Sequence, residues 1–531
     1  MKEQKIYTSP VDIFTEYARG QSYNLSITPR SLYDMVERNE NFYIGKHWEG
    51  VNAPSLPKPV LNILKRVISY FVSTIVSDDV TARFSLYNGN ENEDISRIFK
   101  IISEEIDNVI ENNKLKQLNR EALRNSAVDG DACLYCYFDA DVKTNNITDG
   151  VIKAEIIDNT DVYFGNPSVN DVQKQPYILI AMHRLVGSVQ AQAPDGVVIT
   201  PDEENPLQDE KAIDYDKVTV IRKLWKQNGT IWVTDVTKTA ILKPPTNLGY
   251  SIYPLSWFSW EKVKNCYHGI SPMTPVIANQ IEINKLFAMC IKHVKDWSFP
   301  KMVINKATFP DGINNEVGGA IWVTGDVNQA VMRNTPTNDM SFQVQQAIND
   351  LITLTKETMG ASDAALGNMN ADNTSAIIAL QQSSAMPLEL QKLSFYQFVE
   401  DYIRVIFDII TTKYGKRYTG EMVEKPVMDM YGQPVINENG MPLTEQTPEV
   451  LDYSVLKDMQ LKLSVDIGAT SYFSELAGIA TLDNLFSKGI LQDAVIYLES
   501  LPRGAVPNRE KIISQIKEQQ EQMKQQTQQL L

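Results

Sequence analysis

The chain has 531 residues, a formal net charge of −16 at pH 7, and 43% hydrophobic against 22% charged residues. This length predicts about two to four structural units with apolar cores. An acidic balance without any basic block argues against a protein that grips nucleic acid tightly, because such proteins neutralise phosphates with a basic face. Four cysteines are too few for a disulfide-stapled secreted fold. No signal-like apolar stretch opens the chain, and we expect a soluble, intracellular protein without a membrane span.

The first 130 residues show helical patterns. Apolar residues at 61, 64, 68, 71, 72 and 75 recur with the period of an α-helix, and a second such pattern covers about 91–128. Another helix begins near Pro29 and is expected to end at Gly45, because glycine readily adopts the left-handed conformation that closes a helix. This region therefore predicts a set of helices with polar joints.

From about 130 to 260 the pattern changes to strands. Runs of β-branched and aromatic residues, separated by turn residues, predict strands at 133–138, 151–157, 178–184, 218–225 and 230–236. The stretch 187–214 is rich in Ala, Gln, Pro and acidic residues and predicts an exposed loop or hairpin tip.

The middle of the chain predicts two helices around a small insert. The first helix begins at 271–273 and runs to about Trp297, where Pro300 stops it. Residues 299–338 alternate short apolar runs with Pro and Gly and predict a small β-rich module. Helical spacing returns at 341 and ends at Gly360.

The last third combines a long helix, strands and further helices. A polar loop at 361–373 precedes a helical stretch at 374–413 that Pro387 should kink. Strands are expected over about 421–467 and helices over about 472–500, and the last 20 or so residues are rich in glutamine, as in a frayed helical tail. The whole pattern predicts an α+β protein.

Motifs for enzyme chemistry are absent from the sequence. There is no P-loop, nucleotide-binding glycine motif, nucleophile elbow or zinc-protease motif. Cys133 and Cys136 form a CxxC, but an apolar strand pattern surrounds them without further metal-type ligands, and we interpret them as core residues. The four histidines, His47, His183, His268 and His293, are far apart, so a structural, hydrogen-bonded role is favoured for each.

Two pairs of aspartates bracket the first predicted strand. Asp129 with Asp131, and Asp139 with Asp141, could supply oxygen ligands to Mg²⁺ or Ca²⁺. Both pairs stand where the chain should turn, and aspartate is common in turns. The turn interpretation is favoured, and we predict neither a metal site nor a cofactor.

The helix predicted at 271–297 carries a distinctive side. On a helical wheel one side holds Ala278, Ile281, Glu282, Lys285, Met289, Lys292 and Asp296. Lys285 and Lys292 lie one above the other on it, with Lys295 flanking them. In a ring of copies this side would direct lysines into a lumen. Taken alone, the pattern favours a solvated helix face with charge pairing such as Glu282 with Lys285.

The order of these elements resembles that of portal proteins of tailed bacteriophages, most closely the group typified by the portal of a Bacillus phage. The resembling stretches are 41–45 with 59–68, 267–272 before the first central helix, 374–377 at the start of the long helix, and 465–468 with 482–491 near the end. None of these motifs holds an unusual residue, so their order and spacing carry the resemblance, which covers most of the chain.

The resemblance implies a multidomain portal fold that assembles into a ring, usually a dodecamer. The implied parts are a wing (1–270 and 414–470), two stem helices (271–298 and 341–360), a clip (299–340), a tunnel loop (361–373), a long kinked helix (374–413) and a crown with its tail (471–531). Such a ring sits at one capsid vertex of the virion, is assembled in the host cytoplasm, and passes double-stranded DNA. Its implied partners are the major capsid and scaffolding proteins, the terminase large subunit, and head-completion adaptor or tail proteins, with no membrane and no enzymatic activity.

The resemblance also implies candidate sites. The DNA-channel candidates are Lys285, Lys292, Lys295, Asn368, Asn370 and Asn373, and the clip docking candidates are Lys306, Phe309 and Trp322. Because DNA must slide, few lysines and a loop at 361–373 without Lys or Arg suit a channel of shallow potential. Two alternatives stay open: a metal-dependent viral nucleic-acid enzyme that uses Asp129 and Asp131, and another capsid-associated adaptor or scaffold protein.

Overall fold

The computed structural model describes a mixed α+β chain. The described residues are mainly 8–76, 80–86, 93–202, 216–298, 342–361, 386–426, 444–458 and 461–467, with short stretches at 302–304, 332–334, 482–488 and 494–501. Across these ranges, no helix combines the length and the apolar character needed to cross a membrane.

The helices follow the predicted spacing with two corrections: the chain turns within 91–128, and a short helix with buried Val189 opens the stretch 187–214, which the sequence predicts as an exposed loop or hairpin tip. Their bounds are α1 Pro10–Ser26, α2 Leu32–Ile44, α3 Ile63–Ile75, α4 Glu93–Asn112, α5 Leu115–Asp129, α6 Val186–Gln190, α7 Ile277–Ser298, α8 Phe342–Thr358, α9 Glu389–Lys413 and α10 Ala494–Ser500. Gly45 closes α2 in the left-handed conformation with φ 95°, as predicted. Gly360 likewise has a positive φ just after α8.

The single helix predicted over 91–128 is wrong, because the chain turns between α4 and α5. Lys114 adopts a left-handed conformation with φ 52°. The Asn113 side chain donates to the carbonyl oxygen of Val109 in α4 and to that of Ile152 on a distant strand, both at 2.9 Å. These two bonds pair a carbonyl oxygen in the last turns of α4 with the same side chain that pairs one on that strand. The tertiary contact therefore outweighs the local helical pattern.

The strands form antiparallel sheets. Their bounds are β1 Val80–Leu86, β2 Asp131–Asp139, β3 Val151–Ile157, β4 Val162–Phe164, β5 Tyr177–Leu185, β6 Lys217–Gln227, β7 Thr230–Val236, β8 Ile241–Asn247, β9 Leu255–Ser259, β10 Glu261–Lys262, β11 Gly269–Ile270, β12 Met302–Ile304, β13 Met332–Asn334, β14 Lys416–Pro426, β15 Thr444–Asp452 and β16 Leu461–Ile467. One sheet has the order β4-β5-β6-β7-β8 and a second the order β3-β2-β9, and the other described strands pair two by two. The five strands predicted between 130 and 260 are confirmed.

Distant parts of the sequence share one core. α9 packs on β9 and β2, and β1 pairs with β16 in the register Val80 with Ile467. The main apolar cluster includes side chains from α3, α4, α5, β2 and α9. Fully burying one such side chain stabilises the fold by about 1.5–3 kcal/mol. The N-terminal helices therefore depend on the C-terminal third for their core.

The CxxC pair belongs to this core. Cys133 and Cys136 are buried free thiols in β2, which confirms their interpretation as core residues. Burial raises the pKa of Cys136 to about 12, so the thiol stays protonated at neutral pH.

Alternation along β6 connects both sheets and α1. Lys223 is buried and forms an ion pair with Glu16 of α1. The side chain of the preceding residue, Arg222, points to the opposite face of the sheet. There it donates two bonds of 2.8 Å to Asp235 and one of 3.1 Å to the Tyr135 hydroxyl of β2. A single strand thus fixes the larger sheet between α1 and the smaller sheet.

Two predictions for the last third meet the structure only in part. Pro387 lies in a short 3-10 turn, Met386–Leu388, directly before α9 begins. The first part of the predicted kinked helix, 374–385, lies outside the described residues. The strand region predicted at 421–467 contains β15 and β16, but β14 begins earlier, at Lys416.

Candidate functional site

The start of α7 is fixed to the helices and strands before it. Ser271 donates to the carbonyl oxygen of Ala127 in α5 at 2.6 Å, and a 3-10 turn, Thr274–Val276, leads into α7. Gly130 lies against the same segment, where an added Cβ would sit 2.7 Å from the carbonyl oxygen of Gly269. Gly130 has φ 102°, so both its conformation and this close approach require glycine.

One side of α7 is exposed along its length. The exposed residues of this side are Ala278, Glu282, Lys285, Met289, Lys292 and Asp296. They recur every three or four residues, which confirms the predicted side of the helical wheel. Only Ile281, also predicted on this side, is half-buried.

The lysines of this side differ in their surroundings. Lys285 Nζ lies 2.8 Å from Glu282 Oε1, in the exposed pair that the solvated-face interpretation predicts. Lys295 is exposed in the last turn of α7, where a cation interacts favourably with the helix dipole. The structure therefore brings Lys285 and Lys292 to one side and contains the charge pair of the alternative as well.

The buried side of α7 carries an amide clamp, which we define as Gln280 and Asn284 with the backbone of Leu61 and Ile63. Gln280 Nε2 donates to the carbonyl oxygen of Leu61 at 2.6 Å, and Gln280 Oε1 accepts from the backbone N–H of Ile63 at 3.2 Å. Asn284 Oδ1 accepts from the backbone N–H of Leu61 at 3.2 Å. Both amide side chains are buried. The clamp joins α7 to the segment that leads into α3.

His47 completes the clamp. Its Nε2 lies 2.8 Å from the carbonyl oxygen of Phe42, which can only accept, so Nε2 carries the hydrogen. Its Nδ1 is then free to accept from Asn284 Nδ2 at 2.7 Å. Burial lowers the pKa of His47 below its ordinary value of 6.5, which favours this neutral form.

Among the described residues, few pack against the far half of α7. No residue of the described α7 beyond Ala288 is buried. Val294 and Trp297 of α7 are 52% and 58% exposed, and Leu354 of α8 is 57% exposed. α7 and α8 contact each other, and β12 and β13, which lie between them in sequence, pair together. The helix pair thus leaves several large apolar side chains uncovered.

The other predicted site residues cannot be placed with these. Asn368, Asn370 and Asn373 of the predicted tunnel loop lie outside the described residues. The same holds for the predicted docking residues Lys306, Phe309 and Trp322.

The aspartates near β2 have separate surroundings. Asp131 is buried, and its two carboxylate oxygens accept from the Gly269 N–H at 2.8 Å and contact His268 Nδ1 at 3.0 Å. Burial raises the pKa of Asp129 to about 7, and its Oδ1 has no hydrogen-bond partner among the described residues. Within the described ranges, no group of three or more His, Cys, Asp or Glu side chains is placed to hold a metal ion.

The second aspartate pair and the buried histidines have structural surroundings. Asp139 forms an ion pair with Lys153 of β3. His47 and His268 are buried and hydrogen-bonded, as predicted for structural histidines. Sequence reasoning missed the amide clamp; its signal was two amides four residues apart within an otherwise apolar stripe of α7.

A comparison of the chain with profiles of protein families and with curated proteins found no match.

Proposed function

We propose that the chain is a subunit of a portal-type ring, whose copies surround a channel for double-stranded DNA during genome packaging and ejection. The proposal extends the resemblance in element order. On this proposal the chain is not an enzyme, and it acts by assembly at one capsid vertex of the virion.

The observation that carries the proposal is the incomplete burial of the α7–α8 pair. Val294, Trp297 and Leu354 are more than half exposed in the single chain, although they are large and apolar. Val294 and Trp297 lie three residues apart on one helix, and exposed apolar patches are typical of surfaces that meet another protein. A ring would place a neighbouring copy of the pair against these side chains, and burying the exposed half of each would contribute about half of the 1.5–3 kcal/mol of full burial.

The charges of α7 suit a channel through which DNA slides. Lys285 is paired with Glu282 in an exposed geometry, and exposed pairs contribute only about 0–1 kcal/mol. A phosphate passing this side therefore meets a weak and partly neutralised attraction. Together with the net charge of −16, this would limit tight phosphate binding, which would slow translocation.

The proposed partners follow from the same assignment. Residues 299–340 would form the clip that docks the terminase large subunit during packaging and head-completion adaptor or tail proteins afterwards. The wing, 1–270 with 414–470, would contact the major capsid and scaffolding proteins.

Images of the purified full-length chain in negative stain test the proposal directly. We expect rings with an axial hole, usually of twelve subunits. Monomers or dimers at all concentrations that stain well would contradict it.

A second test addresses the lysine side. We expect the double substitution Lys285→Ala with Lys292→Ala to leave ring formation intact and to change DNA packaging or retention. The matched control is Lys143→Ala with Lys238→Ala, which removes the same charge from exposed positions in the N-terminal half of the chain. Unchanged packaging and retention in the α7 variant would remove the lumen assignment while leaving the ring proposal in place.

A further inference from the structure

The amide clamp uses every polar atom of its two side chains. Gln280 Nε2 donates both to Leu61 and to Asn284 Oδ1, the latter at 3.2 Å. Asn284 Nδ2 lies against His47 Nδ1. Neither Gln280 nor Asn284 has a buried polar atom without a partner. Such complete pairing in a buried place specifies one arrangement, because any other would leave polar atoms unpaired.

The apolar contacts of α7 specify its rotation less well. Its buried apolar residues are Ile277, Ile283 and Ala288, and partly buried Leu286, Phe287 and Ile291 lie beside them. Apolar burial is not directional, so these residues restrict the rotation of α7 only through the apolar area that they keep buried. Hydrogen bonds are directional in both distance and angle. The hydrogen bonds of the clamp therefore restrict the rotation of α7 about its axis more narrowly than the apolar contacts do.

The backbone that the clamp binds is itself well fixed. Residues 61–63 lead into α3, whose Leu64, Val67 and Ile68 are buried in the main core. Asn62 also donates to the carbonyl oxygens of Phe42 and Tyr43, at 3.1 and 2.9 Å. The clamp thus joins α7 to the core of the N-terminal helices.

We propose that Gln280 and Asn284 are positioning residues that set the rotation of α7 about its own axis, and so decide that the side with Lys285 and Lys292 faces away from the chain. The effect of this rotation on DNA passage rests on the proposed function, whereas the rotation itself is a property of the single chain. The lysines act on the passing phosphates, and the two amides act only through the lysines.

The test measures which side of α7 is accessible. Single cysteines are introduced by Met289→Cys, on the exposed side, and by Ala288→Cys, on the buried side, in full-length chains that carry Cys266→Ser and Cys290→Ser. Dilute protein is alkylated with a maleimide. With the clamp intact, position 289 should react about tenfold or more faster than position 288, as expected for an exposed against a buried site.

The clamp is then removed by Gln280→Met with Asn284→Leu, which keep similar volumes. The ratio of the two alkylation rates should fall to about threefold or less, because α7 then samples other rotations. The matched control is Ile283→Val, which is equally buried in α7 and makes no side-chain hydrogen bond, and should keep the ratio. A folded clamp variant that keeps the native ratio would overturn the inference.

An internal reporter separates rotation from unfolding. Cys133 and Cys136 are buried in β2 and should stay unreactive while the core is intact. If the double variant exposes them, the single variant Asn284→Leu replaces it, since both backbone bonds of Gln280 remain there. For this single variant the inference requires the ratio of the two alkylation rates to fall, by less than in the double variant. An unchanged ratio contradicts the inference.

A packaging assay separates this inference from the proposed function. If the accessibility ratio falls and DNA packaging falls with it, both hold. If the ratio falls while rings form and packaging is unchanged, the positioning role stands and the lysine lumen is wrong.

Discussion

The two long helices α7 and α9 differ in how far the rest of the chain buries their apolar residues. From Phe395 onward, α9 is surrounded by β9, β2, β16, α3 and α4, and most of its large side chains are buried. α7 is buried only as far as Ala288 and is held there partly by amides. From Phe395 onward α9 is covered by its own chain, whereas α7 beyond Ala288 leaves large apolar side chains exposed. Leu390 and Leu393 in the first turns of α9 are exposed as well.

On the proposed ring, this difference would let one fold be stable as a single chain and still assemble. Even within α9, polar bonds support the packing: the Ser256 hydroxyl donates to the carbonyl oxygen of Phe398 at 2.9 Å, and Asn119 donates to the Tyr402 hydroxyl at 3.1 Å. A core of this kind stabilises the single chain by itself. In the proposed ring, the exposed half of α7 would contribute to stability only after association.

The largest expected effect contrasts the two helices directly. Phe398→Ala should destabilise the dilute chain by about 3–5 kcal/mol, because it leaves a cavity in the core. Trp297→Ala should change the same free energy of unfolding by less than about 0.5 kcal/mol, because the side chain is mostly exposed. Urea unfolding of both variants measures this, and equal losses would contradict the comparison.

The clamp should give the next largest effect. Gln280→Met removes the side-chain partner of the Leu61 carbonyl and of the Ile63 N–H, which still bond each other at 3.0 Å, and the expected total cost is therefore about 1–3 kcal/mol. Ile283→Val in the same helix should cost only about 0.5–1.5 kcal/mol. If urea unfolding shows no greater loss for Gln280→Met than for Ile283→Val, the amides contribute nothing beyond their packing.

A smaller effect should appear as a dependence on pH. The pKa of His47 is lowered by burial, so the unfolded chain binds a proton at this residue more readily than the folded chain. The stability from neutral His47 is therefore present above its unfolded pKa of about 6.5 and is lost as the pH falls below it. The loss should approach at most about 1.4 kcal/mol per pH unit.

The control for this prediction is His47→Gln, which retains an acceptor oxygen for Asn284 and does not titrate. The difference in unfolding free energy between the two chains should narrow as the pH is lowered from 7 to 5, because only His47 is penalised by protonation. A difference that does not change over this range would mean that His47 is not held neutral by the clamp.

The sequence was a good guide to elements whose signals are local. Periodicity and a closing glycine predicted α2 and α8, and spacing alone predicted α3 and the strands β5, β6 and β7 of the larger sheet, but not its edge strands β4 and β8. It could not predict the break at Lys114, because Asn113 finds its second partner on β3, beyond the whole of α5 and β2. It could not predict the pairing of β1 with β16 either, since nothing local marks a partner so far along the chain.

The candidate site divides in the same way. The exposed side with Lys285 and Lys292 followed from the geometry of a helix, which the sequence fixes wherever the helix forms. The clamp that orients this side depends on the backbone near Leu61, which is more than 200 residues away. The expected roles of the loop at 361–373 and of the clip residues stay predictions.

The most direct test of the central claim is the mass of the full-length particle in solution, measured by sedimentation for the native chain and two variants. Trp297→Ser with Leu354→Ser removes exposed apolar surface from the α7–α8 pair, and Val11→Ser with Leu25→Ser removes a similar amount from α1. We predict a ring-sized particle for the native chain and the α1 variant, and a shift toward single chains for the α7–α8 variant. A native chain that sediments as a monomer, or an α7–α8 variant that assembles as well as the α1 variant, would contradict the account.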